Sequence, residues 1–229
     1  LGQLQWLASQ AVPSIQAGLS LLMGHQVGAT VSTLLAANKL AQRARWDSQT
    51  PLRIHAHKEP CLVTFSDASW MTRKSGHSQG GHLVFLTDAS ILRERECPLS
   101  LISWNSSRLA RVARSTSAAE VQAAADADDE ALYVRLALYE ILFGPYPLAK
   151  WGPAASAIPA ALVLDCRGVY DALARSESAC LGLKDKKSGL EALALKQSLQ
   201  ECHTSLRWCH SAAQLADVMT KDTPDSRAP

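Results

Sequence analysis

Apolar residues recur at helical spacing through the first 45 positions. Leu4, Leu7, Ala8 and Ala11 share a face until Pro13 interrupts, Ile15, Leu19 and Leu22 continue it, and Val31, Leu34, Leu35 and Leu40 follow Gly28. This predicts a run of helices, expected to pack beside the rest of the chain and to add no strand to it. Residues 46–60 read as a connection ending at Glu59-Pro60. From Cys61 the period changes. Residues 61–65 form a short apolar run ending at Ser66-Asp67, and 82–86 and 99–104 form two more, separated by a turn at 76–81 and a charged loop around 93–96. These are predicted strands. A long helix follows. Ser117 is placed to cap it, and Ala123, Ala124, Ala127, Ala131, Val134 and Leu138 line one face down to Gly144-Pro145. The Pro-, Ala- and Gly-rich stretch 145–159 reads as a loop. Residues 161–164 form a strand tipped by Asp165, residues 169–174 and 190–199 form helices, 205–209 a last strand, and 214–220 a closing helical turn or two. Strands first and then alternating strands and helices predict an α/β mixed sheet with helices. The polar tail from Asp222 is expected to fray.

Composition changes this picture little. With 229 residues, 47% hydrophobic and 19% charged, the chain is an ordinary globular one. The net charge of +2 does not announce a nucleic-acid binder. Two basic groups are local: Lys39, Arg43, Arg45, Arg53 and Lys58, then Arg93, Arg95, Arg108, Arg111 and Arg114. Each suits phosphate contact or an ordinary solvated face. No apolar run reaches the ~18 residues that would span a membrane. The six cysteines, Cys61, Cys97, Cys166, Cys180, Cys202 and Cys209, include no C-x-x-C pair. An intracellular, reduced protein is expected. Cys202-His203 and Cys209-His210 fit no common zinc spacing, so these cysteines read as buried strand residues. The chain begins Leu1-Gly2-Gln3 without Met and is expected to be a piece of a longer polyprotein.

Four carboxylates carry the candidate chemistry. Asp67 and Asp165 end apolar strands, where α/β folds place ligands. Each also fits a local role, Asp67 starting a turn and Asp165 capping the helix that follows. Glu120 has two readings as well. Ser117-Ala118-Ala119-Glu120 is an S-x-x-E capping box, and it is also an acid on the first long helix. Asp217 stands among Leu215, Ala216, Val218 and Met219, facing outward or held there for a purpose. Four acids from four separate elements suit hard cations bound through oxygen.

Their joint order is more specific. The chain resembles the ribonuclease H domain of copia-type retrotransposon polyproteins. The resembling stretches are Val63-Thr64-Phe65-Ser66-Asp67-Ala68-Ser69-Trp70, Ile102-Ser103-Trp104-Asn105-Ser106, Ser115-Thr116-Ser117-Ala118-Ala119-Glu120, Leu164-Asp165-Cys166-Arg167 and Gln214-Leu215-Ala216-Asp217-Val218-Met219-Thr220-Lys221. Upstream, Leu1-Gly2-Gln3-Leu4-Gln5-Trp6-Leu7-Ala8 through Leu22 resembles the segment that follows the polymerase palm in those polyproteins.

The resemblance implies a ribonuclease H-like mixed five-stranded sheet flanked by helices over residues 60–222. Before it, 1–59 would be a helical segment from the end of the reverse transcriptase, its thumb or connection, and after it 223–229 a frayed tail. It implies an endonuclease that cuts the RNA strand of an RNA–DNA hybrid with two Mg²⁺ ions, which Mn²⁺ can replace, bound by Asp67, Glu120, Asp165 and Asp217. Hybrid selection would use 2′-hydroxyl contacts rather than base sequence. Further candidates are His210 as a proton shuttle and Arg108, Arg111, Arg114 and Arg167 as nucleic-acid contacts. Implied partners are the hybrid and the remainder of the reverse transcriptase polyprotein, with no membrane, in a cytoplasmic particle or the nucleus. The competing reading is a catalytically decayed or purely duplex-gripping remnant of the same fold. An integrase or junction resolvase is disfavoured by the Ala216-Asp217-Val218-Met219-Thr220-Lys221 ending.

Overall fold

The computed structural model describes residues 1–73, 75–93, 95–175 and 185–221. Cys180 and the tail from Asp222, which was expected to fray, lie outside the described residues. Three helices come first, α1 (Gly2–Gln10), α2 (Gln16–Met23) and α3 (Val31–Asp47). Then follow β1 (Pro60–Ser69), β2 (Gln79–Asp88), β3 (Ser100–Arg108), α4 (Thr116–Phe143), α5 (Trp151–Ser156), β4 (Ala160–Leu164), α6 (Arg167–Ala174), α7 (Lys186–Glu201) and β5 (Thr204–Trp208). A 3-10 segment, Leu215–Met219, closes the described chain.

The five strands form one sheet in the order β3-β2-β1-β4-β5. β1, β2 and β3 are joined antiparallel, and β4 and β5 are added parallel to β1. This is the mixed five-stranded sheet flanked by helices that the resemblance implies. β4 is buried along its whole length. A central parallel strand is covered on both faces, which is why it reads as a continuous apolar run.

Side-chain alternation divides the core between the two faces. Leu162 and Leu164 of β4 pack with Val121, Ala124 and Ala127 of α4, with Val169 and Leu173 of α6, and with Leu195 and Leu199 of α7. Ala161 and Val163 turn the other way and pack with Cys61 and Val63 of β1 and with Ala89. The alanines of α4 let its backbone lie close to the sheet. The helix ends at Gly144, whose φ of +86° suits a residue without Cβ.

Residues 1–59 contribute no strand. Ala8, Val12, Ile15, Leu19 and Ala44 form a cluster of their own, with Leu4, Leu7 and Leu40 against it. The indole N–H of Trp104 on β3 donates to the backbone oxygen of Ala8 at 2.8 Å. Arg73 and Gln79 both donate to Ser20 Oγ on α2, at 2.7 and 3.0 Å.

Several local expectations are corrected. β1 does not stop at Phe65 but pairs with β2 as far as Ser69, so Asp67 lies inside the strand, opposite Gly81. Ser66 and Asp67 continue the strand because their backbone groups find partners in β2, whatever their polarity. Residues 145–159 hold a helix, α5, because a proline near a helix start removes no hydrogen bond the helix would make. On α3, Val31, Leu34 and Leu35 are exposed, and only the second half of the helix packs inward. Ala11 is also exposed, since α1 ends at Gln10.

Candidate active site

Asp67, Glu120 and Asp165 meet at one end of the sheet. One carboxylate oxygen from each lies within 4.8 Å of the other two. The central strand β1 supplies Asp67, the start of α4 supplies Glu120, and the residue after β4 supplies Asp165. β1 and β4 are parallel neighbours, so their acids emerge side by side.

The local reading of Glu120 as a helix cap is overturned. α4 begins at Thr116, and its N-cap is Ser115, whose hydroxyl accepts from the Ala118 N–H at 3.1 Å. Ser117 is already inside the helix. Glu120 is thereby free to face the sheet, where it accepts a hydrogen bond from the Ala68 N–H.

The cluster is electrostatically strained. Burial pushes the Glu120 carboxyl up to about 9, and the charges of Asp67 and Asp165 push in the same direction. Burial also raises Asp67, with Asp165 and Asp217 adding to it, while the Thr220 hydroxyl, which donates to Asp67 Oδ2, opposes the rise. Metal-free stability should therefore depend on pH. The folded state holds a proton on Glu120 that the unfolded chain releases above the ordinary value of 4.5, so stability falls as pH rises from about 4.5 towards about 9. Thermal melts in EDTA across that range should show a declining midpoint. Glu120→Gln should flatten the decline, and Mg²⁺ should raise the midpoint most at the alkaline end. A wild-type midpoint independent of pH would contradict this electrostatic account.

Asp217 does not join the group of three. It stands in the closing 3-10 segment, where its carboxylate accepts from Lys221 Nζ. That hydrogen bond raises Lys221, and the charges of Asp217, Asp67 and Asp165 add to the rise. The segment is tied to the sheet by residues to which sequence reasoning assigned no role. Buried Gln214 donates from Nε2 to Ser66 O at 2.9 Å and accepts from the Ala216 N–H at 3.2 Å. Ser106 on β3 donates to Met219 O. Gly81, opposite Asp67, lets the segment approach, because a Cβ there would collide with Met219. The signal for Gln214 and Thr220 was present in the closing motif, but spacing alone does not say which of its polar residues turn inward.

His210 is exposed and caps a 3-10 turn, its Nδ1 accepting from the Ala212 N–H at 3.2 Å. Arg111 pairs with Glu191, Arg114 with Asp185 at 3.6 Å, and Arg167 with Asp171 at 2.9 Å. Arg108 is exposed at the end of β3. The five described cysteines are free thiols, and among the described residues no metal-binding group includes Cys202, His203, Cys209 or His210. No described helix is long and apolar enough to cross a membrane.

No family model matches the chain, and no curated protein matches it. Among solved structures it is similar to LC11-RNase H1, isolated from compost by a metagenomic approach, at 11% identity and a TM-score of 0.37 over 70% of this chain and 91% of that one. It is similar to the prototype foamy virus protease-reverse transcriptase at 13% identity and a TM-score of 0.40, covering 73% of this chain and 20% of that one. The NurA nuclease from Sulfolobus solfataricus is matched at 11% identity and a TM-score of 0.31, over 82% of this chain and 61% of that one.

Proposed function

We propose that the protein is a metal-dependent endonuclease that hydrolyses the RNA strand of RNA–DNA hybrids, as the ribonuclease H part of a copia-type retrotransposon reverse transcriptase. The observation that carries this reading is the convergence of Asp67, Glu120 and Asp165 within 4.8 Å. Burial first, and then the charges of the neighbouring acids, raise Glu120 and Asp67, and a bound cation would relieve both. All-oxygen donors fit a hard divalent cation such as Mg²⁺.

Asp67, Glu120 and Asp165 would hold such cations. When bound, these supply Lewis acidity, lowering the pKa of an attacking water and stabilising the leaving oxygen. The chain's own residues set the geometry. Thr220 orients the Asp67 carboxylate, and the Ala68 N–H orients Glu120. Asp217 is the fourth ligand in this reading, and its exchange from Lys221 to a cation would complete the set. Residues 1–59 would be the end of the reverse transcriptase and 60–222 the nuclease domain, acting inside the cell in a particle or the nucleus.

Incubation with end-labelled RNA–DNA hybrid tests the proposal, with single-stranded and duplex RNA as controls. Cleavage of the hybrid alone, in Mg²⁺ or Mn²⁺ and lost in EDTA, is the expected result. No hybrid cleavage, or equal cleavage of single-stranded RNA, would overturn it.

A further inference from the structure

Two residues after Asp165 stands an arginine that the acid cluster does not use. Only Cys166 separates Arg167 from Asp165, so their Cα atoms are at most about 7.6 Å apart. The guanidinium carbon of Arg167 lies 5.4 Å from the Tyr170 ring centroid and 5.2 Å from that of Trp208, within reach of cation–π attraction. Trp208 is itself fixed to the site, its indole N–H donating to the backbone oxygen of Asp165 at 2.9 Å. Contacts therefore run without a break from the Asp165 backbone through Trp208 to the guanidinium.

An exposed arginine ordinarily keeps its rotamer freedom and gains little from a surface ion pair. Here the side chain is 62% exposed, yet two rings from different elements hold it. Its Nε is engaged by Asp171, and Nη1 and Nη2 have no partner among the described residues. A planar guanidinium that rests against two rings and keeps two unused amino groups suits a phosphate, which it can meet through paired hydrogen bonds. A free phosphate ion would be repelled by Asp165 and Asp171 nearby. A phosphate belonging to a strand already seated on the acid cluster would be delivered to it.

We infer that Arg167, held against Tyr170 and Trp208, binds a backbone phosphate next to the scissile one on the cleaved strand. This rests on the nuclease reading above and gives the nucleic-acid contact expected at Arg167 a definite partner, with Trp208 and Tyr170 as positioning residues. The ordering cost of the arginine is met by the rings before substrate arrives.

The test combines binding and cleavage with the whole chain. Affinity for a fluorescent RNA–DNA hybrid is measured in Ca²⁺ over a series of salt concentrations. Arg167→Gln should reduce the slope of log K against log salt by about 1, the loss of a single phosphate contact. Trp208→Leu keeps the charge and should weaken binding with a smaller change of slope. A single uncharged methylphosphonate linkage is then walked along the cleaved strand. At one position flanking the scissile phosphate it should weaken the wild type and leave Arg167→Gln unaffected. In Mg²⁺, Arg167→Gln should raise KM with kcat nearly unchanged. Melting curves establish that both variants fold. If Arg167→Gln matches the wild type in slope and in the linkage walk, the inference falls while hybrid cleavage by the wild type keeps the nuclease reading. If the wild type leaves the hybrid uncut in Mg²⁺, both fall.

Discussion

Asp165→Asn should lower hybrid cleavage by about 10²–10³-fold, equivalent to several kcal/mol of lost transition-state stabilisation, and leave the protein folded. The swap keeps size and hydrogen-bonding capacity and removes one negative charge from the group of three. The same change should stabilise the metal-free protein, because the Asp165 charge contributes to raising both Glu120 and Asp67. Opposite signs on activity and metal-free stability are hard to obtain from a merely damaged fold. Asp129→Asn is the control. Asp129 is exposed on α4, away from the site face, and its loss should leave cleavage near wild type. Cleavage of a labelled hybrid in Mg²⁺ measures activity, and melting in EDTA measures stability. Near-wild-type cleavage by folded Asp165→Asn would remove Asp165 from the site.

The largest expected loss of stability lies elsewhere. Arg135 on α4 is only 2% exposed. Its Nε donates to Ile158 O at 2.6 Å, Nη1 to Thr204 Oγ1 at 3.0 Å and Nη2 to Cys202 O at 2.8 Å. One guanidinium thus joins the long helix to the start of β4 and to the turn between α7 and β5. Arg135→Ala should cost about 3–5 kcal/mol, because two buried carbonyls lose their partner and a cavity opens. For a chain of this size that lowers the melting temperature by about 6–20 °C. Arg135→Lys restores the charge but cannot reach all three acceptors, so it should recover only part of the loss. Urea titration of both variants gives the measurement. A midpoint unchanged in Arg135→Ala would mean that Ile158 and Cys202 find other donors.

Arg135 illustrates where sequence reading stops. It falls beside Val134 in a helix whose inward face is marked by alanines, and an arginine next to such a face looks solvated. Burial depends on three acceptors supplied from residues 158, 202 and 204, distant in the chain. The exposed Val31, Leu34 and Leu35 are the converse case. They satisfy the apolar period of a buried helix face, but nothing in the described structure covers them. Periodicity states which residues can pack together, not whether a partner surface exists.

Much of the architecture was nonetheless legible. The five strand runs and the long helix follow from local pattern, since a buried strand or helix face must be written in apolar residues wherever it occurs. The acids Asp67, Glu120 and Asp165 were also legible as candidates, two at strand ends and one on the first long helix. Sequence alone left Glu120 divided between cap and ligand, because S-x-x-E spacing satisfies both. Tertiary structure resolved the cap by placing it at Ser115, two residues earlier, and by turning Glu120 to the Ala68 amide. It also separated Asp217 from the other three acids and gave it to Lys221, and it assigned Thr220 to Asp67. The sequence by itself determined the five strands and the long helix, and which residues could carry charge at their ends. Only the tertiary structure decided which of those charges meet, because Asp67, Glu120 and Asp165 come from elements whose approach no local pattern records.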